Sequence, residues 1–186
     1  MKKNKNIQRS WTAVTYPQDF CEHGAALGPQ TILRLQKLVD TQKQGRFQIS
    51  HVVLACGIGP DTQEYPQQVK SFAVMMKDWL VAEGTFDANV IHCSKNDNVW
   101  NCIEVTIEMI RVIRGFNLSR NILVVSTGFH LYPRMWVTWK LICRRKHCWN
   151  VAFVPAWKGT YSIVHELLGT VKYIPIALWY RFNDKV

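Results

Sequence analysis

The sequence predicts an α/β protein, a three-layer Rossmann-like sandwich around a mainly parallel sheet. Short apolar runs alternate along the chain with longer segments of helical periodicity. The runs at 51–56 and 122–127 are continuously apolar enough to suit strands buried on both faces. Glycine or proline marks most of the transitions between the two patterns. Strands separated by helical segments imply parallel pairing through right-handed crossovers.

The first strand is expected over 11–16, Trp-Thr-Ala-Val-Thr-Tyr. Residues 29–41 follow Gly28 and open on Pro29, and Ile32, Leu33, Leu35, Leu38 and Val39 form a helical stripe. Residues 51–56 are too short for a buried helix and read as a central strand, ending in the loop Gly57-Ile-Gly59-Pro60. A helix is expected over 67–82, with Phe72, Met75, Met76, Trp79 and Leu80 on one face and Gly84 closing it. Residues 89–93 make a short strand. The helix at 99–113 carries Ile103, Ile107, Ile110 and Ile113, with Gly115 behind it. The strand at 122–127 turns out through Gly128-Phe-His130 into a helix over 134–143. A strand at 151–154 is ended by Pro155, and a last helix over 165–180 is kinked or broken at Pro175.

A length of 186 residues favours one domain with a real core. Hydrophobic residues at 48% exclude a disordered chain. Apolar stretches are interrupted before the ~18 residues that a transmembrane helix needs. The basic start has no apolar segment behind it, so no secretory signal is visible. Residues 1–10 read as a basic, disordered tail and 11–186 as the domain, in a cytoplasmic protein. The six cysteines, at 21, 56, 93, 102, 143 and 148, contain no CxxC and read as reduced thiols rather than a metal site.

The formal charge of +10 is unevenly placed. Lys2, Lys3, Lys5 and Arg9 lie in the tail, and Arg134, Lys140, Arg144, Arg145 and Lys146 form a second block without an acid. Such a patch attracts nucleic acid, an anionic membrane surface or a small anionic molecule.

Ligands of open parallel sheets bind beyond the carboxyl ends of the strands. Gly57, Gly59 and Asp61 sit in one such loop, where glycine allows close backbone approach. The loop lacks a full GxGxxG and a P-loop lysine, and an ordinary turn accounts for it equally well. Residues 94–98 precede a helix, where Asp97 or Asn98 serves as a cap, a ligand contact, or both. The segment 126–134, Ser-Thr-Gly-Phe-His-Leu-Tyr-Pro-Arg, is the most informative. Thr127 supplies a hydroxyl, His130 an acid or base, and Arg134 a guanidinium for carboxylate or phosphate. The plainer reading of His130 is a structural hydrogen bond closing the loop.

The order strand, Ser-Thr-Gly-Phe-His, nearby Arg and apolar helix resembles the DUF218 (YdcF-like, SanA/ElyC-like) family. Leu33-Arg34-Leu35 is similar to that family's Arg-Leu on the first helix. Residues 52–59 resemble its glycine-ended strand, 71–76 its Ser-Glu-Ala-x-x-Met helix start, and 92–101 its Glu-x-x-Ser-x-Asn-Thr-x-Glu-Asn turn. Glu166 matches a glutamate of its last helix. The resemblance spans roughly 11–180, in order and spacing more than in any single motif. This chain departs from the pattern at Phe72, His92 and Trp100, which stand where the family has carboxylates. It also has Lys95 for the family's serine and Asp97-Asn98 for its Asn-Thr, while Asn101 is kept. The interval from His130 to Arg134 is one residue longer than usual. The resemblance implies a pocket more basic and more aromatic than the family's, suited to an anionic or flat ligand and not to a metal.

The family further implies a Rossmann-type fold. Among its members, one binds S-adenosylmethionine and others act in the bacterial envelope. The preferred expectation is a soluble bacterial protein that binds a small anionic or nucleotide-like ligand, S-adenosylmethionine first, with transferase or hydrolase chemistry if it turns over. Arg134 would hold the anionic group, His130 would orient it or exchange a proton, and Asn101 would add polar recognition. The Gly57–Gly59 backbone would pack against the ligand. The alternative is a non-catalytic protein whose basic surface meets nucleic acid, a membrane or a protein.

Overall fold

The computed structural model describes residues 9–18, 20–21, 24–58, 68–128, 130–142, 149–156 and 163–182. Among the described residues there are seven strands: β1 (Ser10–Thr15), β2 (Phe20–Cys21), β3 (Ala26–Leu27), β4 (Gln48–Leu54), β5 (Ile91–Cys93), β6 (Asn121–Thr127) and β7 (Asn150–Ala156). The α-helices are α1 (Pro29–Lys43), α2 (Phe72–Ala82), α3 (Cys102–Gly115), α4 (Trp136–Ile142) and α5 (Ile163–Phe182). Five strands form one all-parallel sheet in the order β5-β4-β1-β6-β7. Helices α1 and α2 pack together, as do α3, α4 and α5, and the sheet lies between them in a three-layer Rossmann-like sandwich.

The central strands are apolar because helices cover both faces. Val52, Val53 and Leu54 of β4 and Ile122 to Val125 of β6 are fully buried. Leu35, Leu38 and Val39 of α1 and Ile103, Ile110 and Ile113 of α3 join the same core. Among the described residues no helix is long and apolar enough to cross a membrane. Helix α5 nevertheless leaves Leu168, Val171 and Trp179 exposed.

Several boundaries differ from those expected, each for a local reason. Helix α2 starts at Phe72 because Ser71 caps it, its hydroxyl accepting from Val74 N. Helix α3 starts at Cys102, not 99. The carbonyls of Asp97 and Val99 are engaged by the amides of Ile58 and Gly57, at 3.1 and 2.8 Å, so that stretch is drawn out beside the exit of β4. The cap is Asn101, whose side chain accepts from the amides of Ile103 and Glu104, and neither Asp97 nor Asn98 fills that role. A 3₁₀ turn, Ala88–Val90, replaces the expected start of β5.

Pro155 lies inside β7 rather than ending it. That strand is at the sheet edge, where an N–H facing away from β6 is dispensable. Helix α5 continues through Pro175, although proline removes one helical hydrogen bond. The loop after β1 contains an antiparallel ribbon, β2 with β3, that periodicity did not suggest.

Candidate functional site

The sheet order makes β1 and β6 neighbours. From β1 the chain proceeds to β4 and β5 on one side, and from β6 to β7 on the other. The strand order therefore reverses between β1 and β6, the position beyond whose carboxyl ends open parallel sheets bind their ligands.

Arg34 ties the two strand ends together. It projects from the buried side of α1 and is 0% exposed. Its Nη1 donates to the carbonyls of Tyr16 at 2.8 Å and Pro17 at 3.2 Å. Its Nη2 donates to Thr127 Oγ1 at 2.8 Å and to the side-chain oxygen of Gln18. A buried cation is tolerated only when its donors are largely met, and these oxygens take up both terminal nitrogens. The Gln18 backbone N–H in turn donates to Thr31 Oγ1 at 3.0 Å.

Beyond Thr127 the chain makes a π-helical turn, His130–Met135, before α4. Such turns are uncommon and concentrate at functional sites. This one swings His130 back under the end of β6. His130 Nδ1 lies 2.8 Å from Ser126 Oγ, and Nε2 lies 3.3 Å from Cys102 Sγ. The imidazole meets the Tyr16 ring edge-on at 5.9 Å between centroids. Burial, then the guanidinium groups of Arg34 and Arg134, hold His130 well below the usual imidazole range, so it is neutral at neutral pH.

A second chain of bonds supports this cluster. Trp139 Nε1 donates to Tyr16 OH at 2.8 Å. Thr106 Oγ1 donates to the Cys102 carbonyl at 2.6 Å. The 2.7 Å contact between Tyr16 OH and Thr106 Oγ1 must then run from the phenol to the threonine, whose only hydroxyl proton is committed. The relay Trp139, Tyr16, Thr106, Cys102 fixes the first turn of α3 against β1 and α4.

Of the residues singled out from sequence, Thr127, His130 and Arg134 come together here. Asn101 is adjacent as the cap of α3. Asn98 is exposed, and its amide donates to Asn96 Oδ1 at 3.1 Å. Gly57 is filled by its own fold, since a Cβ there would overlap the Asp97 backbone. Gly59 and Asp61 lie outside the described residues, as do Arg144, Arg145 and Lys146 of the basic block. Phe72 and Trp100 stack on each other, with centroids 5.6 Å apart. Lys95 is exposed. His92 sits in β5, its Nε2 3.1 Å from His51 Nδ1 and its ring against Phe116. Burial, then His51 and Lys77, lower its pKa.

Sequence reasoning missed Cys102, Tyr16, Thr106 and Trp139, and it used Arg34 only as a family marker. A usable signal existed for two of them. Arg34 interrupts an apolar helix face, and Cys102 directly follows a good capping residue. Among the described residues no three His, Cys, Asp or Glu side chains are grouped to hold a metal ion. A groove of about 420 Å³ lies elsewhere, between β3, α1 and α2, lined by Leu27, Ile32, Met75 and Trp79 among others. It contains none of the cluster.

No protein-family model matches the chain, and no curated protein or solved structure matches it. Fold alone does not specify an activity, so the chemistry of the cluster is the basis for one.

Proposed function

We propose that the chain is a DUF218-like protein that binds a small anionic or nucleotide-like ligand at the crevice beyond β1 and β6, with S-adenosylmethionine the leading candidate. One observation carries the reading. Arg34, Thr127, His130 and Arg134 converge at the point where the strand order reverses. Two guanidinium groups beside a neutral imidazole make a positive, hydrogen-bonding environment that suits a carboxylate or phosphate. In this reading Arg134 takes the anionic group, which for S-adenosylmethionine is its carboxylate. Arg34 holds the walls of the crevice in place, and Asn101 shapes its rim as the cap of α3. The bacterial source and the absence of a resident metal belong to the same proposal.

Thermal denaturation with S-adenosylmethionine, S-adenosylhomocysteine, adenine nucleotides and sugar phosphates tests it. A ligand at a hundred times its Kd adds about 2.7 kcal/mol to stability. For a chain of this size that is a rise of roughly 5–10 °C in Tm. Arg134→Ala should remove the rise for the active compound while leaving the circular dichroism spectrum unchanged. No rise with any of these compounds would refute the proposal.

A further inference from the structure

The cluster contains a group that ligand binding alone does not need. We infer that Cys102 is a nucleophile, that His130 is its general base with Ser126 as orienting partner, and that the site cleaves a small anionic acyl compound by acyl transfer to the Cys102 sulfur. The inference deepens the small-ligand reading above and rests on it for the negative charge of the substrate.

Nucleophile, base and orienting group occur in the geometry that this chemistry needs. Cys102 Sγ is 3.3 Å from His130 Nε2, and His130 Nδ1 is 2.8 Å from Ser126 Oγ. With the ring proton on Nδ1 and donated to Ser126, Nε2 is the acceptor that faces the thiol. Cys102 is the first residue of α3, a helix of 14 residues, so the amide end of that helix favours negative charge on its sulfur. It is also half-buried, whereas Cys56 is buried within the core. Burial pushes the Cys93 thiol up to about 11, and that thiol donates to the Ala73 carbonyl at 3.3 Å. Burial, reinforced by Cys102, pushes Cys56 up as well. Three elements that meet only in the folded chain, α3, β6 and the π-helical turn, bring the three groups together.

The steps balance. Sγ bonds to the carbonyl carbon of the ester, thioester or amide, and its proton passes to His130 Nε2. The carbonyl oxygen carries the negative charge until the C–O, C–S or C–N bond breaks. The leaving group takes the proton back from Nε2, and the acyl group stays on Cys102 as a thioester. Water then gives a proton to Nε2 as its oxygen attacks that thioester. Cys102 departs as thiolate and is reprotonated by His130, releasing the acid.

The full chain is treated with iodoacetamide and, separately, with iodoacetate, and labelling of each cysteine is followed by peptide mass mapping. Cys102 should react with iodoacetamide at neutral pH about tenfold or more faster than in His130→Gln. Ser126→Ala should give a smaller loss, and Cys56 and Cys93 should lag. p-Nitrophenyl acetate should release a stoichiometric burst of p-nitrophenolate and leave an acetyl group on Cys102, and Cys102→Ser should abolish the burst. Labelling of Cys102 at the same rate in a folded His130→Gln overturns the inference. So does a burst that survives Cys102→Ser, which also decides the matter if the histidine variant does not fold. The iodoacetate arm separates the two readings. His130-dependent labelling without a preference for iodoacetate upholds the nucleophile and removes the anion site. Labelling independent of His130 removes the nucleophile even where thermal shifts with anionic ligands persist.

Discussion

Replacing Tyr16 by Phe deletes one oxygen from the middle of a buried relay. Tyr16 is 1% exposed, and Trp139 and Thr106 are both fully buried. The phenol accepts from Trp139 Nε1 at 2.8 Å and donates to Thr106 Oγ1 at 2.7 Å. In the variant the indole N–H has lost its acceptor in a place water does not reach. A buried donor stranded in this way costs about 1–3 kcal/mol. Thr106 keeps its bond to the Cys102 carbonyl, so its loss is the smaller part. The total expected is about 2–3 kcal/mol. That is a large share of the roughly 5–15 kcal/mol by which a domain is stable. It corresponds to a fall of about 4–12 °C in Tm for a chain of this size. Urea unfolding followed by circular dichroism measures it, and the slope against denaturant should not change. Trp139→Phe removes the donor at the cost of a cavity. Combined with Tyr16→Phe it should cost about 1–2 kcal/mol less than the two singles added together. A Tyr16→Phe loss below about 0.5 kcal/mol, or strict additivity, would refute the relay.

Three further outcomes follow from the same geometry. Gly57→Ala places a Cβ onto the Asp97 carbonyl and 2.7 Å from the Asp97 Cα. Because those atoms are backbone, the 97–99 stretch must move, at about 2–4 kcal/mol in urea unfolding. Asn101→Ala removes the acceptor for the Ile103 and Glu104 amides and should cost about 1 kcal/mol. Hydrogen exchange should show the first turn of α3 fraying, while Asn101→Asp keeps it protected. Stability should also depend on acid. His130 and His92 both have lowered pKa values in the fold, chiefly from burial, so the unfolded chain binds protons that the native chain does not. Their contribution is complete above the unfolded value of about 6.5 and is lost as pH falls through that region toward the native values. Each adds a slope of at most about 1.4 kcal/mol per pH unit. Urea titrations should give a shallower slope in His130→Gln, and an unchanged one would count against a neutral buried His130.

Long-range hydrogen bonding decides what was legible in the sequence. β6 and α3 could be read because an apolar run and an apolar stripe are local patterns that burial on both sides produces. The start of α3 could not be read. Val99 reads as the first helical residue behind an Asp97 or Asn98 cap, but the carbonyls of Asp97 and Val99 are taken by the amides of Ile58 and Gly57, some forty residues earlier. Pro155 reads as a stop unless β7 is known to be an edge strand. Within the site, Thr127, His130 and Arg134 were legible because they share one short segment. Cys102 and His130 are 28 positions apart and meet only where the start of α3 reaches the π-helical turn. Arg34 shows in the sequence only as a charge within an apolar helix face, and its burial depends on carbonyls that turn inward only after β1 has ended.

That dependence bears on why the cluster is polar at all. A buried ion or hydrogen-bonded group seldom stabilises a fold more than well-packed apolar residues of the same shape would. Arg34, Ser126, Thr127 and His130 are each buried, and all stand where the strand order reverses. Stability alone would favour leucine or valine at such positions. Their bonds do specify geometry, because each joins elements distant in sequence: α1 to β1 and β6 through Arg34, and α3 to the π-helical turn through Cys102 and His130. The two roles make opposite demands under mutation. A purely structural network loses stability wherever it is cut, at Tyr16 and Ser126 alike. A catalytic one tolerates Cys102→Ser with little loss of stability, because the serine keeps the backbone carbonyl that Thr106 uses, and its Cys102 thiol loses reactivity when His130 or Ser126 is cut. Measuring stability and thiol reactivity on the same set of variants therefore distinguishes a scaffold from a site.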